Sequence, residues 1–327
     1  MIEFKIIFSY KSSIIFLLII ILNITYKTDN EFDISKIINQ KNYENNDFII
    51  IQYNCYTCGL FSIYKVSLGC IKKFLIDGYV PIIDVTNYPN ILNKFGKTKE
   101  NNWELFFEQP FGYRLEDVVK NAKHIKYMNN TLQCGKFPDQ RTLPLKSVEQ
   151  FFWHHFANRY MPIKSKIIDL ANHIMYRLFK KTKNILGVLI RGTDYVLTKP
   201  SGHPIQPNVT DVINDVKEMD NKYKYDYIFF TTEDKIIKKK FSKIFQNKVK
   251  QILSNIEINY DYSIKQFIAY NNKIKDYIEY NKLYLLNIII MSRCLDIVTV
   301  RCNGAVGIFI LTNGFRNIKM YNLGLYP

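Results

Sequence analysis

An arginine and an aspartate three residues apart follow a short apolar run in the middle of the chain. The run covers residues 185–190 and has the length and branched side chains of a buried strand. Arg191 and Asp194 come after it, at the end where open α/β sheets bind ligands. A guanidinium offers a fork of donors that matches phosphate oxygens. The pattern therefore predicts an anion site, and a structural ion pair between the two side chains is an equally good interpretation.

Three short blocks resemble the α-1,6- and protein O-fucosyltransferase superfamily, most closely its small bacterial and viral members. The first block is Arg191-Gly-Thr-Asp194 with Gly202-His-Pro-Ile205, which is similar to the nucleotide-facing motif. The second is Ile-Phe-Phe-Thr-Thr-Glu-Asp at residues 228–234. The third comprises Met291-Ser-Arg-Cys294 and Cys302-Asn-Gly-Ala-Val306. Residues 54–62 and 101–110 resemble the opening loop and the acceptor-side segment, so the likeness covers most of the chain after Asp47.

This resemblance implies an α/β, GT-B-like fold, in which two Rossmann-like, doubly wound domains face a cleft. It implies inverting transfer of fucose from GDP-fucose to a glycan or glycoprotein hydroxyl, with no metal and no other cofactor. The sequence has no Asp-x-Asp signature, which agrees with that expectation. The donor-binding residues that the resemblance implies are Arg191, Gly192, Thr193, Glu233, Asp234, Asn303 and Gly304.

Transfer from a nucleotide diphosphate requires that charge on the leaving group is neutralised and that the acceptor proton is removed. Arg191 is the candidate for the first task. Asp194 and His203 are the candidates for the second, and His203 has the more suitable intrinsic pKa. A loop-capping hydrogen bond is the alternative interpretation of His203.

Four positions depart from the pattern of the superfamily. Leu189 replaces a histidine, Gly192 a second arginine, Lys199 a glutamate of the core-type enzymes and Asn287 a base-contacting aspartate. These changes leave the nucleotide base and the catalytic base open. Two alternatives to fucosyl transfer follow: a glycosyltransferase that uses a different nucleotide-sugar, and a membrane-tethered binding protein without catalysis.

Strands and helices alternate along the chain, which is typical of doubly wound parallel sheets. Strands are predicted at residues 48–53, 80–85, 185–190, 227–231, 297–300 and 318–321. Helices are predicted at residues 61–76, 115–120, 148–160, 163–180, 209–219, 235–245 and 280–291, and the segment between residue 191 and the helix at 209 is predicted as loop. We expect an acceptor-side domain at residues 47–184 and a nucleotide-sugar-binding domain at residues 185–327.

The N-terminus contains an almost wholly apolar run, residues 12–24, preceded by Lys5 and Lys11. This layout favours an uncleaved signal-anchor over residues 1–26, with the N-terminus inside, and a polar stem over residues 27–46. A cleaved signal peptide and a buried helix are the alternatives. The predicted protein is single-pass and membrane-associated, at the secretory-pathway lumen or a host membrane if its source is eukaryotic or viral.

The net charge of +16 would suit a nucleic-acid partner. The lysines are scattered and no nucleic-acid reader motif accompanies them, so we expect no nucleic-acid partner. There is no G-x-G-x-x-G and no Walker motif, which disfavours dinucleotide and P-loop enzymes. The pair Cys55-x-x-Cys58 has thioredoxin-like spacing but no second pair to complete a zinc set, and cysteine usage leaves the redox compartment undecided. Aromatic residues 103–107 form either core or a platform for a sugar ring.

Overall fold

A computed structural model describes residues 42–53, 55, 58–93, 98–129, 134–252 and 276–327. The predicted anchor at residues 1–26 and the predicted stem up to residue 41 lie outside the described residues, and both stay predictions. Within the described part of the chain, no helix combines the length and the apolar composition needed to cross a membrane.

The N-terminal half forms a three-stranded parallel sheet. Its strands are β1 (Asp47–Gln52), β2 (Val80–Asp84) and β3 (His124–Met128), in the order β2-β1-β3. Phe48 pairs with Val80 on one side and with Ile125 on the other. Helix α1 (Leu60–Ile76) makes the crossover from β1 to β2, which confirms the predicted parallel pair. Alternate residues of β1 pack into two different cores, so both faces of this sheet are covered.

Strand β3 was missing from the sequence prediction. It lies at the edge of the sheet and four of its five side chains are exposed or half-buried, so it lacks the apolar run that marks a buried strand. Helix α2 (Leu115–Asn121) precedes it. Two longer helices, α3 (Ser147–Tyr160) and α4 (Ser165–Phe179), then lead to the second half of the chain.

The C-terminal half forms a five-stranded parallel sheet. Its strands are β4 to β8, in the order β6-β5-β4-β7-β8, with these bounds: Ile185–Leu189, Tyr227–Thr231, Val249–Lys250, Asp296–Val300 and Ile318–Tyr321. The helices between them are α5 to α9: Thr193–Thr198, Val209–Tyr223, Lys235–Phe245, Tyr277–Met291 and Asn303–Leu311. Helices α6 and α7 cover one face, whereas α8 and α9 cover the other. The predicted doubly wound architecture is therefore confirmed for this sheet.

Helix α5 corrects the prediction of continuous loop after Arg191. Thr193 to Thr198 are helical, and the helix ends at Lys199 in a left-handed conformation with φ 43°. Glycine and proline residues lie on both sides of this short helix but not within it. Because they are typical of loops, the whole segment was predicted as loop.

One hydrophobic core runs from the first sheet to the second. Helix α9 is buried on all sides and packs against α1, α3 and α8. A Cβ atom at Gly307 would lie 2.2 Å from the ring of Phe61, so only glycine allows α1 to come this close. Trp103 and Phe107 are 0% exposed, which confirms core for this aromatic segment and excludes the sugar platform. The domain division at residue 185 stays a prediction.

Two disulfides lie in the N-terminal half. Cys55 is joined to Cys58, and Cys70 to Cys134, whereas Cys294 and Cys302 are free and buried. The second bridge ties helix α1 to the loop that follows β3.

Candidate active site

The strand order of the C-terminal sheet reverses between β4 and β7. The chain passes from β4 towards β5 on one side and from β7 towards β8 on the other, so a crevice opens beyond the carboxyl ends of this pair. Arg191 follows β4 and the N-terminus of α9 follows β7. The first and third sequence blocks therefore meet across this crevice.

Arg191 is held by two carboxylates and an aromatic ring. Its Nη2 donates to both carboxylate oxygens of Asp194, at 3.0 and 2.8 Å. Its Nε lies 3.3 Å from Oε1 of Glu233 but is not in hydrogen-bonding geometry. The guanidinium carbon lies 4.9 Å from the ring centre of Tyr195. Burial works to lower the pKa of Arg191, but the carboxylates of Asp194 and Glu233 outweigh it and raise that pKa well above its usual value.

Glu233 joins the second block to the first. Its Oε1 accepts hydrogen bonds from the backbone N–H of Gly192 at 3.0 Å and from Oγ1 of Thr193 at 3.2 Å. Burial raises the pKa of Glu233, and the charge of Arg191 opposes that rise. A Cβ at Gly192 would lie 2.7 Å from the Cβ of Asp234, so a side chain there would push the two blocks apart.

Asp234 caps helix α7. Its Oδ1 accepts from the backbone N–H of Ile236 at 2.8 Å and of Ile237 at 3.0 Å, and the residue is 7% exposed. This geometry gives Asp234 a structural task at the helix N-terminus. The donor-binding role predicted for it stays a prediction.

The N-terminus of α9 forms the opposite wall of the crevice. Cys302 occupies the N-cap position, and its Sγ accepts from the backbone N–H of Ala305 at 3.4 Å. A Cβ at Gly304 would lie 2.5 Å from the hydroxyl oxygen of Tyr284. The side-chain oxygen of Asn303 is buried without a hydrogen-bond partner in the part of the chain that the structure describes.

Two cavities meet at Arg191. The smaller one, which we call the inter-domain pocket after the predicted division at residue 185, has a volume of about 190 Å³ and lies between the N-terminus of α1 and the C-terminal sheet. The larger one, the lysine-lined pocket, has a volume of about 500 Å³ and includes Glu233, Lys238 and Lys239. Four side chains line both cavities: Arg191, Tyr280, Tyr284 and Cys302.

His203 lies at the edge of the inter-domain pocket. Its Nδ1 is 3.1 Å from the carbonyl oxygen of Ser201, and its ring packs edge-on against Tyr195. Its loop is held by the C-terminal residues, since the carbonyl of His203 accepts from the N–H of Tyr326 at 2.9 Å. His203 therefore both caps its own loop and faces the pocket, so the two sequence interpretations are compatible.

The positions that depart from the superfamily pattern separate in space. Leu189 and Asn287 both line the lysine-lined pocket, whereas Lys199 lies outside both cavities. Tyr280 and Tyr284, which sequence reasoning missed, lie four residues apart and so share one face of α8. The i, i+4 spacing of two tyrosines on one predicted helix was the available signal. Among the described residues no group of three or more histidine, cysteine or acidic side chains gathers as a metal site, and the expectation of metal independence stays a prediction.

No protein-family model matches the sequence, and no curated protein matches it either. Several solved structures match the fold of this chain. POFUT1 in complex with GDP-fucose matches with a TM-score of 0.49 and 9% identity, covering 85% of this chain and 98% of that one. NodZ α-1,6-fucosyltransferase soaked with GDP-fucose matches with a TM-score of 0.45 and 12% identity, covering 82% and 93%. NodZ from Bradyrhizobium matches with a TM-score of 0.39 and 13% identity, covering 77% and 88%. These proteins are fucosyltransferases, the class that the sequence blocks resemble.

Proposed function

We propose that this chain is an inverting, metal-independent glycosyltransferase that takes a sugar from a nucleoside diphosphate and gives it to a hydroxyl of a glycan or glycoprotein. GDP-fucose is the proposed donor, because the sequence blocks resemble fucosyltransferases. The observation that carries the proposal is the position of Arg191. Its guanidinium lies at the point where the strand order reverses and lines both cavities.

Arg191 is prepared to bind a diphosphate. Asp194 occupies Nη2 and Glu233 lies beside Nε, and the guanidinium lines both cavities. The N-terminus of α9 adds backbone N–H groups on the other side of the crevice. Charge that builds on the leaving diphosphate would be neutralised by these fixed donors, which need no rearrangement during the reaction.

His203 is the proposed general base. It faces the inter-domain pocket, and histidine is the side chain that most often transfers protons in general acid–base catalysis. Asp194 was the other candidate from the sequence. Both of its carboxylate oxygens accept from Arg191 and the residue is 2% exposed, so we assign it the positioning of the guanidinium.

A different nucleotide-sugar is the second candidate donor. The lysine-lined pocket has the size and the position for a nucleoside, and it presents Leu189 and Asn287 where the superfamily pattern has a histidine and an aspartate. Nδ2 of Asn287 donates a hydrogen bond to the carbonyl oxygen of Leu283 at 2.9 Å, so its amide oxygen is the atom of this side chain that can accept from a ligand. An amide does not replace a carboxylate as acceptor for two N–H groups of guanine, because it has one acceptor oxygen and an NH2 group that donates in place of the second.

Donor hydrolysis tests the proposal. Purified protein in EDTA is given GDP-fucose and a panel of other GDP- and UDP-sugars, and release of the nucleoside diphosphate is followed. We expect turnover with one donor, and we expect Arg191→Ala to reduce it about 100-fold or more. Arg293→Ala is the matched control, since Arg293 is an exposed arginine of another cavity and should leave turnover unchanged.

Unchanged turnover of Arg191→Ala would contradict the proposal. Binding of a nucleotide-sugar without product, with any acceptor, would instead support the non-catalytic binding protein. A donor other than GDP-fucose would keep the reaction class and replace the substrate.

The two disulfides bear on where the protein works. Disulfides persist in oxidising compartments, and the bridges Cys55–Cys58 and Cys70–Cys134 lie in the domain that follows the predicted anchor. We propose that this part of the protein lies on the luminal or outer side of a membrane. Labelling of free thiols in the cell-derived protein checks this, with two of the six cysteines expected to react after unfolding.

A further inference from the structure

A buried asparagine in the inter-domain pocket has an oxygen with no hydrogen-bond partner among the described residues. Asn281 lies in helix α8 and is 0% exposed. Its Nδ2 donates to the carbonyl oxygens of Ile91, at 3.0 Å, and of Tyr277, at 2.7 Å. Its Oδ1 has no donor in the described part of the chain. A buried polar atom left in this state costs free energy, so it calls for a physical explanation.

The orientation of this amide is settled by its neighbours. Both partners of Nδ2 are carbonyl oxygens, which accept hydrogen bonds and cannot donate them. The amide therefore cannot be turned round without bringing its oxygen against two other oxygens. One of the two carbonyls belongs to Ile91 in the N-terminal half, so the side chain is fixed from both sides of the pocket.

The pocket limits what could satisfy Asn281. A phosphate oxygen is an acceptor and would not pair with an amide oxygen. Asn281 needs a hydrogen-bond donor, and a hydroxyl group is one that leaves the charge of the cavity, which Arg191 and Asp194 both line, unchanged. Asn303 presents a second unpartnered amide oxygen in the same pocket, which suits a ligand that carries several hydroxyl groups.

We infer that Asn281 accepts a hydrogen bond from a hydroxyl of the transferred sugar and so selects the donor. The inference rests on the proposed function. It divides the site in two, with the nucleoside in the lysine-lined pocket, the sugar in the inter-domain pocket of about 190 Å³, and the diphosphate at Arg191 between them.

The experiment compares the affinity of the protein for a nucleotide-sugar with its affinity for the matching free nucleoside diphosphate. Asn281→Ser removes the amide oxygen and keeps a hydroxyl that can donate to the carbonyl of Tyr277, as serine does in helices. Asn281→Leu removes both functions. We expect each variant to bind the nucleotide-sugar about 10- to 100-fold more weakly, while its affinity for the nucleoside diphosphate is unchanged.

Asn287→Leu is the control on the same helix. Asn287 also donates Nδ2 to the carbonyl four residues earlier, but it lines the lysine-lined pocket. Its substitution should change the affinity for both ligands by the same factor. Thermal unfolding of all three variants shows whether a loss of binding reflects a loss of fold, and Asn281→Ser is read alone where Asn281→Leu does not fold.

The outcomes separate the inference from the proposed function. Equal loss for both ligands, or no loss, in the Asn281 variants overturns the inference and leaves the function standing. If wild-type protein binds neither ligand, the proposed function fails and the inference fails with it. If only the KM for the acceptor rises, by about tenfold or more, the hydroxyl belongs to the acceptor and the assignment to the donor sugar is wrong.

Discussion

At the scale of single residues, the candidate site is a charged group surrounded by buried groups that hydrogen bonds hold in place. Asp194 holds Nη2 of Arg191 through two hydrogen bonds, and Glu233 is held by the backbone of Gly192. A cation fixed in this way does not reorganise when negative charge develops beside it, which is the property that stabilises a transition state.

Glu233 should matter through its hydrogen bonds as well as its charge. Glu233→Gln keeps an oxygen that can accept from the N–H of Gly192, whereas Glu233→Ala leaves that N–H without its partner. We expect Glu233→Ala to lower donor turnover about tenfold more than Glu233→Gln. Turnover at saturating donor measures this. Equal losses would show that the charge alone matters.

A second buried carboxylate, Asp296, stabilises the fold. It is 0% exposed and lies at the start of β7, at the end of the sheet opposite Arg191. It accepts from Nε of Arg316 at 3.1 Å, from the N–H of Asn317 at 2.8 Å and from the hydroxyl of Tyr225. Burial works to raise the pKa of Asp296, but these hydrogen bonds outweigh it and lower that pKa below its usual value.

The stability that Asp296 contributes should depend on pH. Because its pKa in the folded protein is below the unfolded value, the contribution is present above the unfolded pKa and is lost as pH falls through the folded pKa. Asp296→Asn should cost about 3 kcal/mol of unfolding free energy at pH 7. Urea unfolding between pH 7 and pH 3 should show this difference shrinking towards acid. A difference that stays constant with pH would contradict the assigned ionisation.

At the scale of elements, helix α9 connects the site to the core. Its N-terminus forms one wall of the crevice, and its remaining length packs against α1, α3 and α8. A helix that is apolar on all sides has to be buried on all sides. The position of Asn303 and Gly304 therefore depends on how closely α1 approaches.

Gly307 sets that approach. A Cβ there would lie 2.2 Å from the ring of Phe61, which is itself buried. Gly307→Ala should therefore lower the unfolding free energy by about 1–3 kcal/mol through overpacking. Gly59→Ala is the control for the replacement of glycine alone, because a Cβ at Gly59 meets no atom of the described residues within 4 Å and φ there is −72°. Chemical denaturation of both variants tests this, and equal destabilisation would mean that the contact with Phe61 is not the cause.

At the scale of the whole molecule, two sheets share one core and the site lies where they face each other. The bridge between Cys70 and Cys134 closes a loop across much of the N-terminal half, with a sequence separation of 64. The bridge between Cys55 and Cys58 closes a separation of only 3. Loop entropy predicts different contributions from the two, because a longer closed loop removes more freedom from the unfolded chain.

Removal of the long bridge should therefore destabilise the protein more. The double variant Cys70→Ser with Cys134→Ser should lose about 4 kcal/mol, and Cys55→Ser with Cys58→Ser about 2 kcal/mol. Unfolding in denaturant, without reductant, measures both. A larger loss from the short bridge would show that the surrounding structure, and not loop closure, decides its contribution.

The local pattern of the sequence was sufficient for most of the strands and helices and for the position of Arg191. Apolar runs mark β1, β4, β5 and β7 because these strands are buried, and the alternation with helices is enough to predict parallel sheets. The fold class and the strand-end placement of the arginine therefore follow from residues that are close in sequence. Strand β3 was missed because it is an exposed edge, and α5 was hidden among loop residues. Helix α9 and the two-residue strand β6 were also missed.

Contacts between distant residues required the tertiary structure. Glu233 reaches Gly192 because β5 pairs with β4, and Asn281 meets the carbonyl of Ile91 across 190 residues of chain. No local sequence pattern predicts these long-range contacts, because they depend on the order of the strands and the packing of the helices. The residues next to Arg191 in the sequence are enough to predict its role as an anion-binding group. The shape of the cavity beside it depends on how closely the two sheets approach each other, which only the tertiary structure shows.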